Sequence, residues 1–209
     1  MSRILVVDFD GTITEADMLD SIAHAFGDEE VNAEVDSGLD GERMTLREVI
    51  TREFEPVRAP MDEVVAWALE RVRVRAGFRD LVGLARERGW RIVIVSSGFQ
   101  ELIAPVLEGE GVEVEVRANQ VDLSEGYWRV LWHYEGVCDS CGESCKRTVV
   151  QELAGEDEIV YVGDGYSDRC AAQVSDRVFA RAGLARYLES EGVPFEPFSD
   201  FHEIARALS

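Results

Sequence analysis

Lysine is nearly missing from this chain: its 209 residues hold one, Lys146, against twenty arginines. Long apolar runs are missing as well. Stretches such as "ILVV" (4–7) and "IVIV" (92–95) fall far short of the roughly 20 residues that a bilayer span requires, so no membrane-spanning helix is expected. An excess of positive charge is also absent, with 42 acidic against 21 basic residues and a formal net charge of −21. Such a surface repels nucleic-acid phosphates and anionic lipid headgroups alike, which excludes nucleic acid and membranes as expected partners. A small anionic ligand stays compatible, provided that local positive charge overrides the global field. The opening "MSRILVVDFDG" has one basic residue and an apolar run that Asp8 cuts short, unlike a secretory leader. A cytoplasmic location is therefore the expectation, with thiols kept reduced.

The length allows one full hydrophobic core, or one core carrying a smaller insertion, and 46% apolar with 30% charged residues reads as an ordinary globular protein. Three segments share one pattern, a short β-branched run that ends abruptly in polar residues: "RILVVDFDGT" (3–12), "RIVIVSSG" (91–98) and "EIVYVGDGYSD" (158–168). Runs apolar on both faces suit buried parallel strands, and helical spacing between them predicts an α/β sheet with right-handed crossovers. Ligands of such sheets sit beyond the carboxyl ends of the strands. All three polar clusters fall there: Asp8 and Asp10, Ser96 and Ser97, Asp164 and Asp168.

The distance from Asp8 to Ser96 exceeds what one crossover needs, since a βαβ unit takes about 30 residues. The surplus, 14–74, reads as helical, with Met18, Ile22 and Ala25 on one face, then Leu46, Val49, Ile50 and Phe54, then Met61, Val65, Leu69 and Val72. The expected layout is a parallel-sheet core from 1–13 and 75–209, with a helical cap over 14–74. A second excursion, 111–145, alternates as "VEVEVRA" and turns at Ser124–Gly126, predicting a hairpin. A helix follows Lys146, and the last thirty residues predict a short strand "RVFA" and two helices.

"DFDGT" sets two carboxylates two residues apart, on one side of a regular strand, with Gly11 able to turn the chain sharply. Asp164 and Asp168 add two more. That many acids on neighbouring strand ends repel one another unless a divalent cation joins them, and hard oxygen ligands of this kind suit Mg²⁺. A lone "DGT" is ordinarily a turn, and Ser96 and Ser97 before Gly98 can equally cap a helix at Phe99. Their joint occurrence in this order on three strand ends separates the sequence from those readings.

These residues resemble the haloacid dehalogenase-like superfamily of phosphatases, with "DFDGT", "VSSG", Lys146 and "GDGYSD" standing as its four motifs. The resemblance implies a Rossmann-like core and a phosphoryl group accepted on Asp8. Asp10 would protonate the leaving oxygen and then take a proton from water. Ser96, the Ser97 amide and Lys146 would hold phosphoryl oxygens. Mg²⁺ would sit on Asp8, the Asp10 carbonyl and Asp164, with Asp168 behind it and Thr12 orienting Asp10. The insertion after the first motif resembles the cap class of phosphoserine phosphatase-like enzymes. The "DFDGTITEADML" and "NQVDLSEGYWRV…CDSCGESCKR" segments are similar to the phosphatases of methionine salvage, which act on 2-hydroxy-3-keto-5-methylthiopentenyl-1-phosphate. The implied partner is a small phosphorylated metabolite.

On this resemblance Asp17 is an acidic cap residue facing substrate, while Arg47 and Arg52 are either cap cations or exposed helix arginines. A thioether tail would ask for an apolar pocket, with Met18 and Trp128 as candidates. Cys138, Cys141 and Cys145 give C-x2-C-x3-C, and Cys170 follows Asp168 by two. Reduced structural thiols, a Zn²⁺ site and disulfides all remain open for them, because the paired C-x2-C repeat of a zinc ribbon is missing. His24, His133 and His202 are scattered and receive no role. Beside the phosphomonoesterase stand a phosphotransferase using the same aspartyl-phosphate, and a non-catalytic, metal-responsive binding protein.

Overall fold

The computed structural model describes residues 3–40, 44–133, 136–143, 145–155 and 157–209. Seven strands form one sheet in the order β4-β3-β2-β1-β5-β6-β7, with β1 Arg3–Val7, β2 Arg91–Phe99, β3 Glu115–Asp122, β4 Arg129–Leu131, β5 Glu158–Gly163, β6 Arg177–Ala180 and β7 Glu196–Pro197. Among the strands of the described residues only β3 and β4 pair antiparallel, as the hairpin that the 111–145 segment predicts. Its first strand starts at Glu115 rather than near Val112, and the short β7 has no counterpart in the sequence pattern.

Alternation along the central strands accounts for their continuously apolar sequence. Leu5, Val7, Ile92, Ile94, Val160 and Val162 face one core. That face is covered by α5 Phe78–Arg88, α6 Gln100–Gly109 and α10 Phe201–Leu208. Ile4, Val6, Val93, Val95, Ile159 and Tyr161 face the other core, under α7 Lys146–Leu153, α8 Arg169–Ala172 and α9 Ala182–Glu191. With helices on both faces, neither set of side chains meets water, and period 2 is lost from the pattern. Successive strands step away from β1 in one direction through β2 and β3, and in the other through β5, β6 and β7. The reversal at β1 opens the crevice in which sheets of this kind place ligands.

Among the described residues four α-helices lie between β1 and α5: α1 Met18–Phe26, α2 Glu29–Asp40, α3 Leu46–Phe54 and α4 Met61–Arg71. Chain departure and return are tied together. Thr14 bridges Val74, the Glu15 amide donates to the Arg73 carbonyl at 2.9 Å, and the Arg75 amide donates to Ile13 at 2.8 Å. Two of the predicted faces are kept only in part. In α1 the buried set is Met18, Leu19, Ile22 and Ala23, leaving Ala25 exposed, and in α4 it is Val64 and Ala68, with Leu69 43% exposed. The packing partners, not the longest apolar side chains, choose the stripe. α3 starts at a capping box in which the Thr45 hydroxyl accepts from the Glu48 amide and Glu48 accepts from the Thr45 amide.

Phe54 joins α3 to the sheet. Its ring meets Phe99 edge-on at 4.8 Å and stacks on Trp128 at 5.8 Å, and the Trp128 indole donates to the Ala59 carbonyl at 2.9 Å. Phe54→Ala is expected to destabilise the chain by about 3–5 kcal/mol, lowering the urea midpoint while leaving the denaturant slope unchanged. A midpoint within error of the parent would show that α3 does not depend on this contact.

Candidate active site

β1 stops at Val7, one residue short of the first carboxylate. The Asp8 amide still donates to the Val162 carbonyl at 2.9 Å, but Phe9–Ile13 then coil into a tight turn with Gly11 at φ +76°. Asp8 and Asp10 themselves keep extended backbone angles and line one cavity, and the reversal of the chain falls at Gly11. A Cβ on Gly11 would stand 2.5 Å from an Asp164 oxygen, and one on Gly98 would stand 2.8 Å from Asp10 Oδ2. Glycine at both places is what lets the backbone approach the acids so closely.

Lys146, the first residue of α7, is 2% exposed. Its ammonium donates to Asp8 Oδ1 and, at 2.7 Å, to Asp168 Oδ1. Asp168 is saturated: its Oδ1 also accepts from the Tyr161 hydroxyl at 2.7 Å, and its Oδ2 accepts from the Asp164 and Gly165 amides at 2.9 Å each. It acts as a bracket for the lysine and for the turn after β5. Asp164 Oδ1 accepts from the Thr12 hydroxyl at 2.7 Å. Thr12 thus holds Asp164, which corrects the expectation that it orients Asp10.

The Ser96 hydroxyl is buried at the end of β2, where it donates to Asp10 Oδ2 at 3.2 Å and accepts from the Gly98 amide at 2.9 Å. β2 continues through Phe99, so neither serine caps α6, whose N-cap Phe99 offers no side-chain bond. Ser97 lines the adjoining cavities, and its carbonyl accepts from the Asn119 amide group at 2.7 Å.

Burial is the largest influence on Asp8, Asp10, Asp17 and Asp164. It lifts Asp8 well above the usual carboxylate range, helped by the charges of Asp168 and Asp164 and opposed by Lys146. Burial, with Asp17 nearby, pushes Asp10 up to about 7. Asp164 is raised by burial and by Asp168, against the Thr12 bond. For Lys146, burial works against the ammonium, yet Asp168 and Asp8 together hold it above the ordinary lysine range.

The chemistry of these groups suits a cation. Oxygens of Asp8, Asp164 and Asp168 lie within 4.8 Å of one another, and Asp10 Oδ1 is buried without a hydrogen-bond partner among the described residues. Hard, anionic oxygens in mutual repulsion fit a small divalent ion.

The remaining expected residues divide. Asp17 caps α1 by accepting from the Asp20 amide at 3.0 Å, and it lines the cavity that holds Asp8 and Asp10. Arg47 lines the neighbouring cavity and lies 4.7 Å over the Trp132 ring. Arg52 reaches neither: it is half exposed and pairs with Glu34 at 2.5 Å, so its candidacy as a cap cation facing the site is corrected. Trp128 is 1% exposed in the core and Met18 lines a separate groove with Trp67, so neither supplies the apolar wall. Leu46 and Ile50 of α3 do, since both line the two cavities. The sequence pattern gave no sign of Arg75, which is buried and donates to the carbonyls of Thr12 and Gly11 at 2.9 Å each, and of Thr14 at 3.0 Å. Arg181 adds a bond to the Gly11 carbonyl at 2.8 Å. Among twenty arginines nothing distinguishes these two. Asn119 was more accessible to inference, because the chain has only two asparagines.

A buried ammonium between carboxylates, with serine opposite, at the carboxyl ends of a doubly wound sheet, defines an α/β enzyme built to handle phosphoryl groups. The chain belongs to the haloacid dehalogenase-like hydrolase family, whose model matches residues 5–173. It is 32% identical to a 2-hydroxy-3-keto-5-methylthiopentenyl-1-phosphate phosphatase of Geobacillus kaustophilus over 98% of this chain and 94% of that one. It is also 32% identical to a bifunctional enzyme MtnB/MtnX of Bacillus licheniformis, again over 98% of this chain, which spans 49% of that longer protein. Among solved structures it resembles a phosphoserine phosphatase captured as an analogue of its phospho-aspartyl intermediate, with a TM-score of 0.77 at 19% identity over 99% of this chain and 98% of that one. A phosphoserine phosphatase from T. onnurineus superposes with a TM-score of 0.74 at 22% identity, over 100% and 94%. At such identities these structures speak for the fold, a Rossmann-like α/β core. Family, fold and relatives together make the chain a phosphoric monoester hydrolase.

The folded chain keeps the Asp10 proton up to about pH 7, whereas an ordinary aspartate loses it near 3.8. Its contribution to stability is thus fully present at low pH and lost as pH rises through about 7. In magnesium-free buffer Asp10→Asn should melt above the parent at about pH 8 and lose that advantage towards about pH 4. An equal offset at both pH values would contradict the elevated carboxyl.

Proposed function

We propose that the chain hydrolyses 2-hydroxy-3-keto-5-methylthiopentenyl-1-phosphate in two steps through a phosphoryl group carried on Asp8. The observation that supports this most is the Lys146 bridge. An ammonium has three donors, and two are taken by Asp8 and Asp168, which leaves one for a phosphoryl oxygen beside the nucleophile. A guanidinium would bring a planar fork of five donors into the same crevice.

In the first step an Asp8 carboxylate oxygen attacks phosphorus, the bond to the leaving oxygen breaks, and Asp10 delivers its proton to that oxygen. Water then attacks the phosphorus of the phosphoryl-aspartate while Asp10 takes the proton back, releasing inorganic phosphate and restoring Asp8. An acid that titrates at about 7 can serve in both directions near neutral pH. Ser96 keeps Asp10 turned towards the crevice through its hydroxyl. The carboxylates of Asp8 and Asp164, with the Asp10 carbonyl, would hold Mg²⁺. When bound, the ion supplies the positive charge that keeps Asp8 ionised and shields it from the anionic phosphate.

Substrate choice rests on the relatives' names and on the wall beyond the acids. Leu46 and Ile50 line both cavities, and Trp132 lines the neighbouring one with Arg47, giving an apolar surface that suits a methylthio tail. Because these α3 side chains share a cavity with Asp8 and Asp10, α3 closes over what the sheet edge binds.

Two measurements test the reading. Asp8→Asn should abolish hydrolysis of p-nitrophenyl phosphate with Mg²⁺ while the circular dichroism spectrum stays unchanged, and a fully active variant would remove Asp8 from the reaction. The parent should turn over the methylthiopentenyl phosphate with a kcat/KM about 100-fold above that for O-phosphoserine. The reverse order would return the substrate to the amino-acid class while leaving the chemistry in place.

A further inference from the structure

The four cysteines come together. Cys138 and Cys141 lie in the segment before α7, Cys145 is the N-cap of α7, and Cys170 stands on α8, yet their sulfurs all lie within 4.8 Å of one another. None is in a disulfide. A tetrahedral zinc–thiolate centre with bonds of about 2.3 Å spaces its sulfurs by about 3.8 Å, so small side-chain rotations would bring these four into place.

The first pair is folded as a ligand-bearing turn. The Ser140 amide points at Cys138 Sγ at 3.4 Å, the Gly142 amide donates to the Cys138 carbonyl at 2.8 Å, and Gly142 then reverses the chain at φ +73°. The Cys138 amide closes the turn onto the Glu143 carbonyl at 2.8 Å. An amide aimed at sulfur favours the thiolate form that binds metal. Cys138 is 3% exposed whereas Cys141 is open to solvent, which gives a buried ligand and a route in for the ion. The centre's surplus negative charge would lie at the N-terminus of α7, where Cys145 is the cap residue, a favourable place for it.

We propose that Cys138, Cys141, Cys145 and Cys170 bind one Zn²⁺ as a closed, four-thiolate structural centre, separate from the carboxylate site. Binding replaces the thiol protons, up to four of which pass to buffer, and no electron is transferred. Ligand hardness sorts the two sites: sulfur takes zinc, and the aspartate oxygens take magnesium. The placement tells what the centre would secure. Cys145 directly precedes Lys146 and Cys170 follows Asp168 by two residues, so one ion would pin the chain on both sides of that buried pair. Through Glu143, whose carboxylate accepts from the Leu46 amide at 3.2 Å, the same turn reaches the start of α3.

The test is metal content and metal spectrum, neither of which depends on catalysis. The chain purified without added metal should carry about one zinc that survives gel filtration. Co²⁺ exchanged into its place should show thiolate-to-cobalt charge transfer and the intense visible bands of tetrahedral cobalt. Cys138→Ser and Cys170→Ser should each lose the zinc and the spectrum, whereas Asp164→Asn should keep both. If a cysteine variant fails to fold, the cobalt spectrum of the parent still decides. The proposal is overturned if the zinc-loaded chain retains no metal and all four thiols react at once with a thiol reagent. It is equally overturned if the metal leaves with Asp164→Asn, or if the purified chain holds a disulfide among the four.

Discussion

The buried ammonium of Lys146 is the interaction on which the site is built. Asp8 and Asp168 follow different strands of the sheet, and the ammonium between them opposes the burial and acidic neighbours that lift Asp8. Breaking such a buried pair by removing one partner leaves an uncompensated charge, whose cost of about 3–5 kcal/mol exceeds that of most single contacts. The placement of Lys146 is correspondingly secure. It is the first residue of α7, whose Val149 and Val150 are buried in the core beneath the sheet, while Tyr161 and two backbone amides hold Asp168 against it. Structure and reactivity share this pair, since the group that neutralises the acids on folding is also the group placed to meet an anionic ligand.

A second constraint is the turn after β1. Its carbonyls need donors, which Arg75 and Arg181 supply from two other parts of the chain. Arg75 sits where the four helices rejoin the core, so the return of the chain and the shape of the Asp8–Thr14 loop are settled by the same side chain. Burial pulls its guanidinium down from the usual range, with Arg181 acting in the same sense, yet arginine remains charged there. A lysine at 75 could not span three carbonyls with fixed geometry, and this is one physical reason for an arginine-rich chain to keep its single lysine elsewhere.

The parallel sheet, its doubly covered faces and the convergence of three strand ends were legible because hydrophobic pattern and topology rules act locally and repeat. Asp8, Asp10, Ser96, Asp164 and Asp168 were legible because a parallel sheet gathers its carboxyl strand ends along one edge, where polar side chains meet in a crevice. Lys146 stood out by being the lone lysine. What was not legible depends on contacts distant in sequence. The predicted faces of α1 and α4 lost Ala25 and Leu69 to solvent, and the buried positions of α4 are Val64 and Ala68. Thr12 turned to Asp164 because the chain reverses at Gly11, which lies against that acid. Arg52 read like Arg47, yet five residues along a helix carry a side chain to a different face, where Glu34 receives it.

The global charge and the local site pull in opposite directions, and their balance bears on what can enter. With a net charge of −21 the chain repels a phosphorylated molecule at long range, although salt confines that repulsion to about 8 Å at physiological ionic strength. Inside that distance the field belongs to the crevice. There Lys146 is already paired with two aspartates, and Asp10, Asp17 and Asp164 add further acid. An anion gains nothing by entering until some of this negative charge is cancelled, either by protons, as the raised Asp8, Asp10 and Asp164 carboxyls indicate for the protein alone, or by a divalent cation. Binding of the phosphate and binding of the cation must therefore be thermodynamically linked, each raising the affinity for the other by the same factor.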